Sequence, residues 1–205
     1  MCSSDLTAMA ESGRTVLGMS FATYKTDLHP GLTRHALSQG SDNDGLSQYL
    51  GADTPIPMFI ESTGAVGGFS LSEGVDATLR SIPLYYKLDG YKYPNLGLAA
   101  YRIAHPESEI LVPETSDGEF YLRWYGQGGH KGVFDYLPFS DLLYSAVQEM
   151  QGNQGSLDPE YFANKYVIIG ATASGLMDLK TSPYTWAMPG METWATFLSN
   201  VEKGH

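Results

Sequence analysis

The residues best suited by type and spacing to do chemistry lie in GATASGLMD, Gly170–Asp178, directly after the apolar run YVII. A glycine-bearing turn at the end of a strand is a common phosphate cradle. A P-loop needs two glycines with four residues between them, then a lysine for the phosphates and a hydroxyl for magnesium. Gly170 and Gly175 have that spacing, but Leu176 and Met177 stand where the lysine and hydroxyl belong. The dinucleotide pattern G-x-G-x-x-G is missing too. No phosphate grip is therefore expected. As a corner at the carboxyl end of a strand, the turn can still line a ligand crevice, with Thr172, Ser174 and Asp178 as its polar groups. Such side chains routinely bond their own loop backbone, and that reading comes first.

Other chemistries find less support. His29, His35, His105, His130 and His205 lie far apart and show neither helical i,i+4 spacing nor an HExxH frame, so no metal site is expected. Asp42 and Asp44 in SDNDG lack the spacing and closing glutamate of a calcium loop. Cys2 is the single cysteine, which excludes an internal disulfide and a cysteine zinc site. No G-x-S-x-G occurs, so a nucleophile elbow is unsupported. Folding could pair Asp76 with Glu73, or Asp178 with Glu192, but nothing in their spacing requires it. No catalytic residue and no cofactor are expected.

The formal net charge of −11 sets this acidic chain against phosphate backbones, and no basic run offsets it, so nucleic acid is not an expected partner. No apolar segment reaches the roughly 20 residues needed to span a bilayer. The first residues, MCSSDLTAMAESGR, lack the basic and apolar regions of a signal peptide. Taken alone, the chain is expected to be soluble.

The elements that must position these residues follow from periodicity. A short helix is expected before Gly13 as C-cap, then a strand at Thr15–Phe21. From Thr23 to Asp53 the polar, glycine-rich sequence reads as a long surface loop. Strands are expected around Ala65–Phe69, at Thr78–Tyr86 (with Pro83 marking an edge or bulge), at Phe120–Tyr125 and at Tyr166–Gly170. Pro94–His105 reads as a helix. Phe139, Leu142, Leu143, Ala146, Val147 and Met150 form the cleanest helical stripe. A last amphipathic helix carries Met191, Trp194, Leu198 and Val201. Helices and strands alternate, which favours an α/β fold, with mixed α+β as the variant: one domain over 1–205 with a partly parallel sheet flanked by helices.

The order of these motifs carries a resemblance. The run KYVIIGATASGLMDLKTSPYTWAMPGMETWATFLSNV resembles the C-terminal signature of the type-two CHASE sensory domain, an extracytoplasmic module of bacterial receptors. Its marks fall on Gly170–Ala173, Gly175, Leu176, Asp178, Thr181, Pro183, Pro189, Gly190 and Glu192. Upstream, GGFSLSEGVDATLRSIPLYY resembles the family's Gly-Phe, Asp-Gly, Arg, Pro-Leu segment through Gly68, Phe69, Asp76, Arg80, Pro83 and Leu84. YPNLGLAAYRIA and YLPFSDLL resemble two of its helix starts. Ala77 stands where the family has glycine after the aspartate, so this turn is expected to manage without positive φ. Trp194 stands where a histidine is usual. The family's opening strand and aspartate motif are absent, which implies a trimmed or shortened member.

The resemblance implies a non-catalytic input domain of an inner-membrane receptor, held outside the cytoplasm by flanking transmembrane helices. It implies an unidentified small-molecule ligand, a homodimer as one arrangement, and a cytoplasmic output such as a cyclase or kinase. The final helix would carry the signal. The segment Tyr24–Asp53 and the glycine-rich corner are the candidate elements that a ligand would bias. The candidate ligand-binding residues are Thr172, Ser174, Asp178 and Arg80, with Arg80 expected to pair with Asp76. Gly170, Gly175, Thr181, Pro183, Pro189, Gly190, Glu192 and Asp76 are implied as structural. A dimerisation module without a ligand is the alternative, and an enzyme using the Gly170–Asp178 loop the less favoured one.

Overall fold

A computed structural model describes residues 3–40, 45–71, 74, 76–107, 115, 118–172 and 178–205. The chain divides into two compact units, Met1–Arg123 with Thr196–His205, and Trp124–Ala195. The fold is mixed α/β. Among the described residues no helix is long and apolar enough to cross a membrane.

The first unit opens with α1, Ser3–Ser12. It ends at Gly13 in the left-handed region (φ 58°). That is the C-cap expected of this glycine. β1, Val16–Ala22, is the middle strand of a three-stranded sheet. It pairs antiparallel with β4, Gly51–Asp53, and parallel with β5, Ala65–Gly68. Its Met19 and Phe21 turn inward, as the two-residue period of a strand requires.

The expected loop Thr23–Asp53 is partly a folded segment. It holds a 3-10 turn at Pro30–His35 with Leu32 and His35 buried, then β2 (Ser38–Gln39), β3 (Gln48–Tyr49) and β4. Strands of two or three residues carry no readable periodicity; their partners in the sheet define them. α2, Pro57–Ser62, follows, with its proline in the first turn where a missing N–H costs nothing.

The expected strand Thr78–Tyr86 breaks in two at Leu84. β6, Ser81–Pro83, pairs with β9, Glu119–Tyr121, while β7, Tyr85–Leu88, forms a hairpin with β8, Tyr91–Pro94. Asp89 and Gly90 make the hairpin turn with φ of 49° and 76°. A two-residue hairpin loop of this hand demands such paired positive values. β2 and β3 flank that hairpin in the order β2-β8-β7-β3. Phe21 stacks on Tyr86 with ring centroids 4.3 Å apart, in a core that includes Met19, Leu32, Val66, Leu88 and Tyr93. The strand expected at Phe120–Tyr125 ends at Tyr121.

α3, Leu96–Ala104, starts at Asn95, which is fully buried. The Asn95 Oδ1 accepts from the Leu98 N–H (2.7 Å), and its Nδ2 donates to the Pro83 carbonyl (2.9 Å). One side chain therefore caps the helix and fastens it to the end of β6. α3 packs on β1 and β5.

Ala77 corrects an expectation. It sits at φ 56°, in the left-handed region, in the turn where glycine was the family residue. A Cβ there costs about 1 kcal/mol. Ala77→Gly is therefore expected to stabilise the protein by roughly 1 kcal/mol, read as a rise in the urea midpoint at unchanged m-value. A loss of stability would show that the turn does not hold this conformation.

In the second unit, α4, Phe139–Met150, spans the residues its stripe indicates. The stripe, however, is largely exposed: Phe139, Leu143 and Val147 are about half exposed and Met150 is 87% exposed. Ser145 is the residue of α4 that is buried. No strand forms at Tyr166–Gly170, and Ile169 is 72% exposed. β-propensity makes a strand only where a neighbour offers a ladder. The unit closes with the hairpin of β10, Leu179–Ser182, and β11, Thr185–Pro189. α5, Met191–Glu202, begins here, and the chain passes into the first unit between Ala195 and Thr196.

Candidate functional site

The corner that the sequence singles out lies in the second unit. Ser174, Gly175 and Leu176 fall outside the described residues, as do Cys2, Asp42, Asp44 and Glu73. Thr172 is exposed. The Asp178 carbonyl accepts the Gly190 N–H at 2.8 Å. A Cβ on Gly190 would lie 2.8 Å from the Asp178 Cγ, so a side chain there would displace that carboxyl group. Thr181 donates its hydroxyl to the Trp186 carbonyl across the hairpin (3.2 Å), and Pro183 sits at the exposed hairpin turn. Pro189 and Gly190 are buried at the start of α5.

Glu192, in the first turn of α5, is buried, and its Oε1 accepts from the Gly129 N–H and the Tyr136 hydroxyl. Burial pushes the Tyr136 hydroxyl upward, and the hydrogen bond and charge of Glu192 add to the effect. Asp178, Gly190 and Glu192 are thus fixed by hydrogen bonds and close packing around the helix start.

Asp76 and Arg80 belong to the first unit. The guanidinium makes a bidentate pair with the carboxylate, 2.8 Å at each contact. Arg80, first through these hydrogen bonds, holds the Asp76 carboxyl well below the usual carboxylate range. Both side chains are more than half exposed, so the pair shapes the turn around Ala77 and adds little stability.

A cavity of about 220 Å³ opens in the first unit. Arg34, His35 and Arg102 supply its basic lining, and Leu37, Pro94 and Ile103 are among its apolar wall residues. None of these residues stands out by spacing. His35 reads as one of five scattered histidines, and Arg102 as a charge near the end of a helix. The arginine density of the wall emerges only when the 3-10 turn, β5 and α3 meet.

Arg34 is held by the end of α2. Its Nη2 donates to the carbonyls of Ile60 (2.8 Å), Glu61 (2.8 Å) and Thr63 (3.0 Å). These are acceptors that a finishing helix leaves open. Its Nε donates to His35 Nε2 at 3.0 Å. A guanidinium N–H can only donate, so Nε2 is the acceptor and the neutral ring carries its proton on Nδ1. The Ile60 carbonyl, 3.0 Å from the same Nε2, is then served by Arg34 and not by the imidazole.

Burial lowers the His35 pKa from its ordinary 6.5; the Ile60 carbonyl pulls the other way, and the Arg34 charge adds to the lowering. The unfolded chain therefore takes up a proton near pH 6.5 that the folded chain refuses until lower pH. Stability rises with pH through that window and falls as the pH drops below it. Urea midpoints at pH 7.5 and pH 5.5 are expected to fall further for the wild type than for His35→Gln. Equal losses would place His35 outside the effect.

Among the described residues no group of His, Cys, Asp or Glu could hold a metal ion. The family model described as the CHASE2 domain matches residues 5–203. No curated protein and no solved structure matches the chain.

Proposed function

The chain belongs to the CHASE2 domain family, a family of sensory domains, and from that premise we propose that it is the ligand-sensing input domain of a bacterial transmembrane receptor. It stands outside the cytoplasm and binds a small molecule without converting it. α5 passes the change toward a cytoplasmic output such as a cyclase or kinase. The observation that carries this reading is the family match over residues 5–203.

Contacts within the first unit support that relay. α3 lines the cavity with Ala99, Arg102 and Ile103. The same helix meets α5 at two places: Gly97 lies against the ring of Phe197, and the His105 Nε2 lies 2.8 Å from the Glu202 carboxylate. A ligand that favours one setting of α3 would bias α5 through those contacts, which is the differential interaction that a switch requires.

The location is tested by labelling. In a receptor whose native cysteines, Cys2 included, are replaced by serine, Trp186→Cys puts one thiol at a position that is 81% exposed. A membrane-impermeant maleimide is expected to label it in intact spheroplasts. Labelling only after lysis would place the domain inside the cell and sink the proposal.

The exposed face of α4 favours a second reading, a dimerisation module. Phe139, Leu143, Val147 and Met150 form an apolar stripe of the kind that marks contact surfaces. A dimer in sedimentation that Leu143→Glu dissociates would support it, and a monomer at all concentrations would remove it.

A further inference from the structure

We infer that the cavity between the 3-10 turn, β5 and α3 is the ligand site, and that it takes a small organic carboxylate. This assignment rests on the sensory reading above and gives its ligand a chemical class.

The polar lining is made of hydrogen-bond donors. Arg34 has five N–H groups. Its Nε and Nη2 are engaged with His35 and three carbonyls, and its Nη1 makes no hydrogen bond among the described residues. The four bonds fix the guanidinium plane, so an anion that bonds to Nη1 costs little side-chain freedom. His35 is only 7% exposed, and its Nδ1, which carries the ring proton, has no partner among the described residues. Arg102, on the exposed side of α3, makes no hydrogen bond among the described residues.

Among the described residues the wall has no Asp or Glu. In a chain with net charge −11, two arginines and an N–H-bearing imidazole around one cavity select an anion. The rest of the wall selects its body. Ala36, Leu37, Ala65, Pro94, Ala99 and Ile103 offer apolar surface, which a tetrahedral inorganic oxyanion cannot use and a short carbon chain can. The volume of about 220 Å³, roughly that of seven waters, suits a short-chain acid.

The test is a calorimetric titration of the whole domain with propionate, butyrate, butyramide and inorganic phosphate, together with a thermal-shift scan against a cell metabolite extract. Saturable binding of butyrate or propionate is expected, with at least tenfold weaker binding of butyramide, which keeps the shape and loses the charge. Arg102→Gln is expected to weaken butyrate at least tenfold, and Arg102→Lys to recover part of it. The domain should still fold, since Arg102 makes no hydrogen bond among the described residues. No saturable carboxylate binding, phosphate binding of equal strength, or an Arg102→Gln protein that binds butyrate like the wild type would overturn the assignment. Should the extract stabilise wild type and Arg102→Gln alike while the carboxylates do nothing, the carboxylate site falls and the sensory reading stands. Should neither carboxylates nor extract stabilise the protein, both fall.

Discussion

Replacing Phe197 by alanine is expected to cost about 3–5 kcal/mol of folding stability, enough to unfold much of a marginal domain. Phe197 is fully buried in the second half of α5 and meets Phe120 of β9 edge-to-face, with ring centroids 5.0 Å apart. On its other side it fills the space that Gly97 leaves in α3: a Cβ there would come within 2.9 Å of the Phe197 Cε1. Alanine would leave a hole between a strand and two helices that none of them can close without giving up its own packing. Phe197→Leu keeps much of the volume and is expected to lose clearly less. Urea unfolding of both variants checks the claim, and a loss below about 1 kcal/mol for Phe197→Ala would mean that α5 does not pack there.

Asn200→Ala is expected to cost about 2–5 kcal/mol, because it orphans two backbone groups at once. Asn200 is fully buried and reaches the backbone of Arg123, just beyond β9. Its Oδ1 accepts the Arg123 N–H (2.8 Å) and its Nδ2 donates to the Arg123 carbonyl (3.0 Å). The amide thus completes the chain where no further strand arrives. Asn200→Asp keeps the acceptor but replaces the donor with an oxygen facing a carbonyl, so it should also destabilise, and more above its carboxyl pKa than below it. A near-neutral Asn200→Ala measured by denaturation would contradict this geometry.

Much of the fold is legible where an element is long enough to show its period. β1, α4 and α5 fall where apolar spacing places them, and Gly13 ends α1 as its position indicates. Asp89-Gly90 is a strong hairpin signal, but the strand expected at Thr78–Tyr86 runs through Leu84, where the chain in fact bends. The break follows from tertiary pairing: Pro83 pairs with Glu119, and Tyr85 with Pro94. Residues 23–53 fail for a related reason, since β2 and β3 exist only because β8 and β7 offer ladders. YVIIG shows the converse, a strand-like composition to which the structure gives no ladder.

The candidate site was less legible. Asp178, Gly190 and Glu192 are recognisable as one corner because they share a short stretch around a helix start. Their geometry shows how the corner is held. The cavity residues are far apart in sequence, and Arg34 gains its meaning from carbonyls of α2 that no spacing rule anticipates.

The central claim, that the domain holds a small molecule without converting it, is tested most directly by affinity-selection mass spectrometry. The purified protein is equilibrated with a metabolite extract, separated from unbound material, and the retained compound identified and re-added. One retained acid, recovered chemically unchanged after prolonged incubation and raising the melting temperature with its concentration, is the expected result. Time-dependent conversion of that compound at a rate proportional to protein concentration, or no retained compound at all, would contradict it.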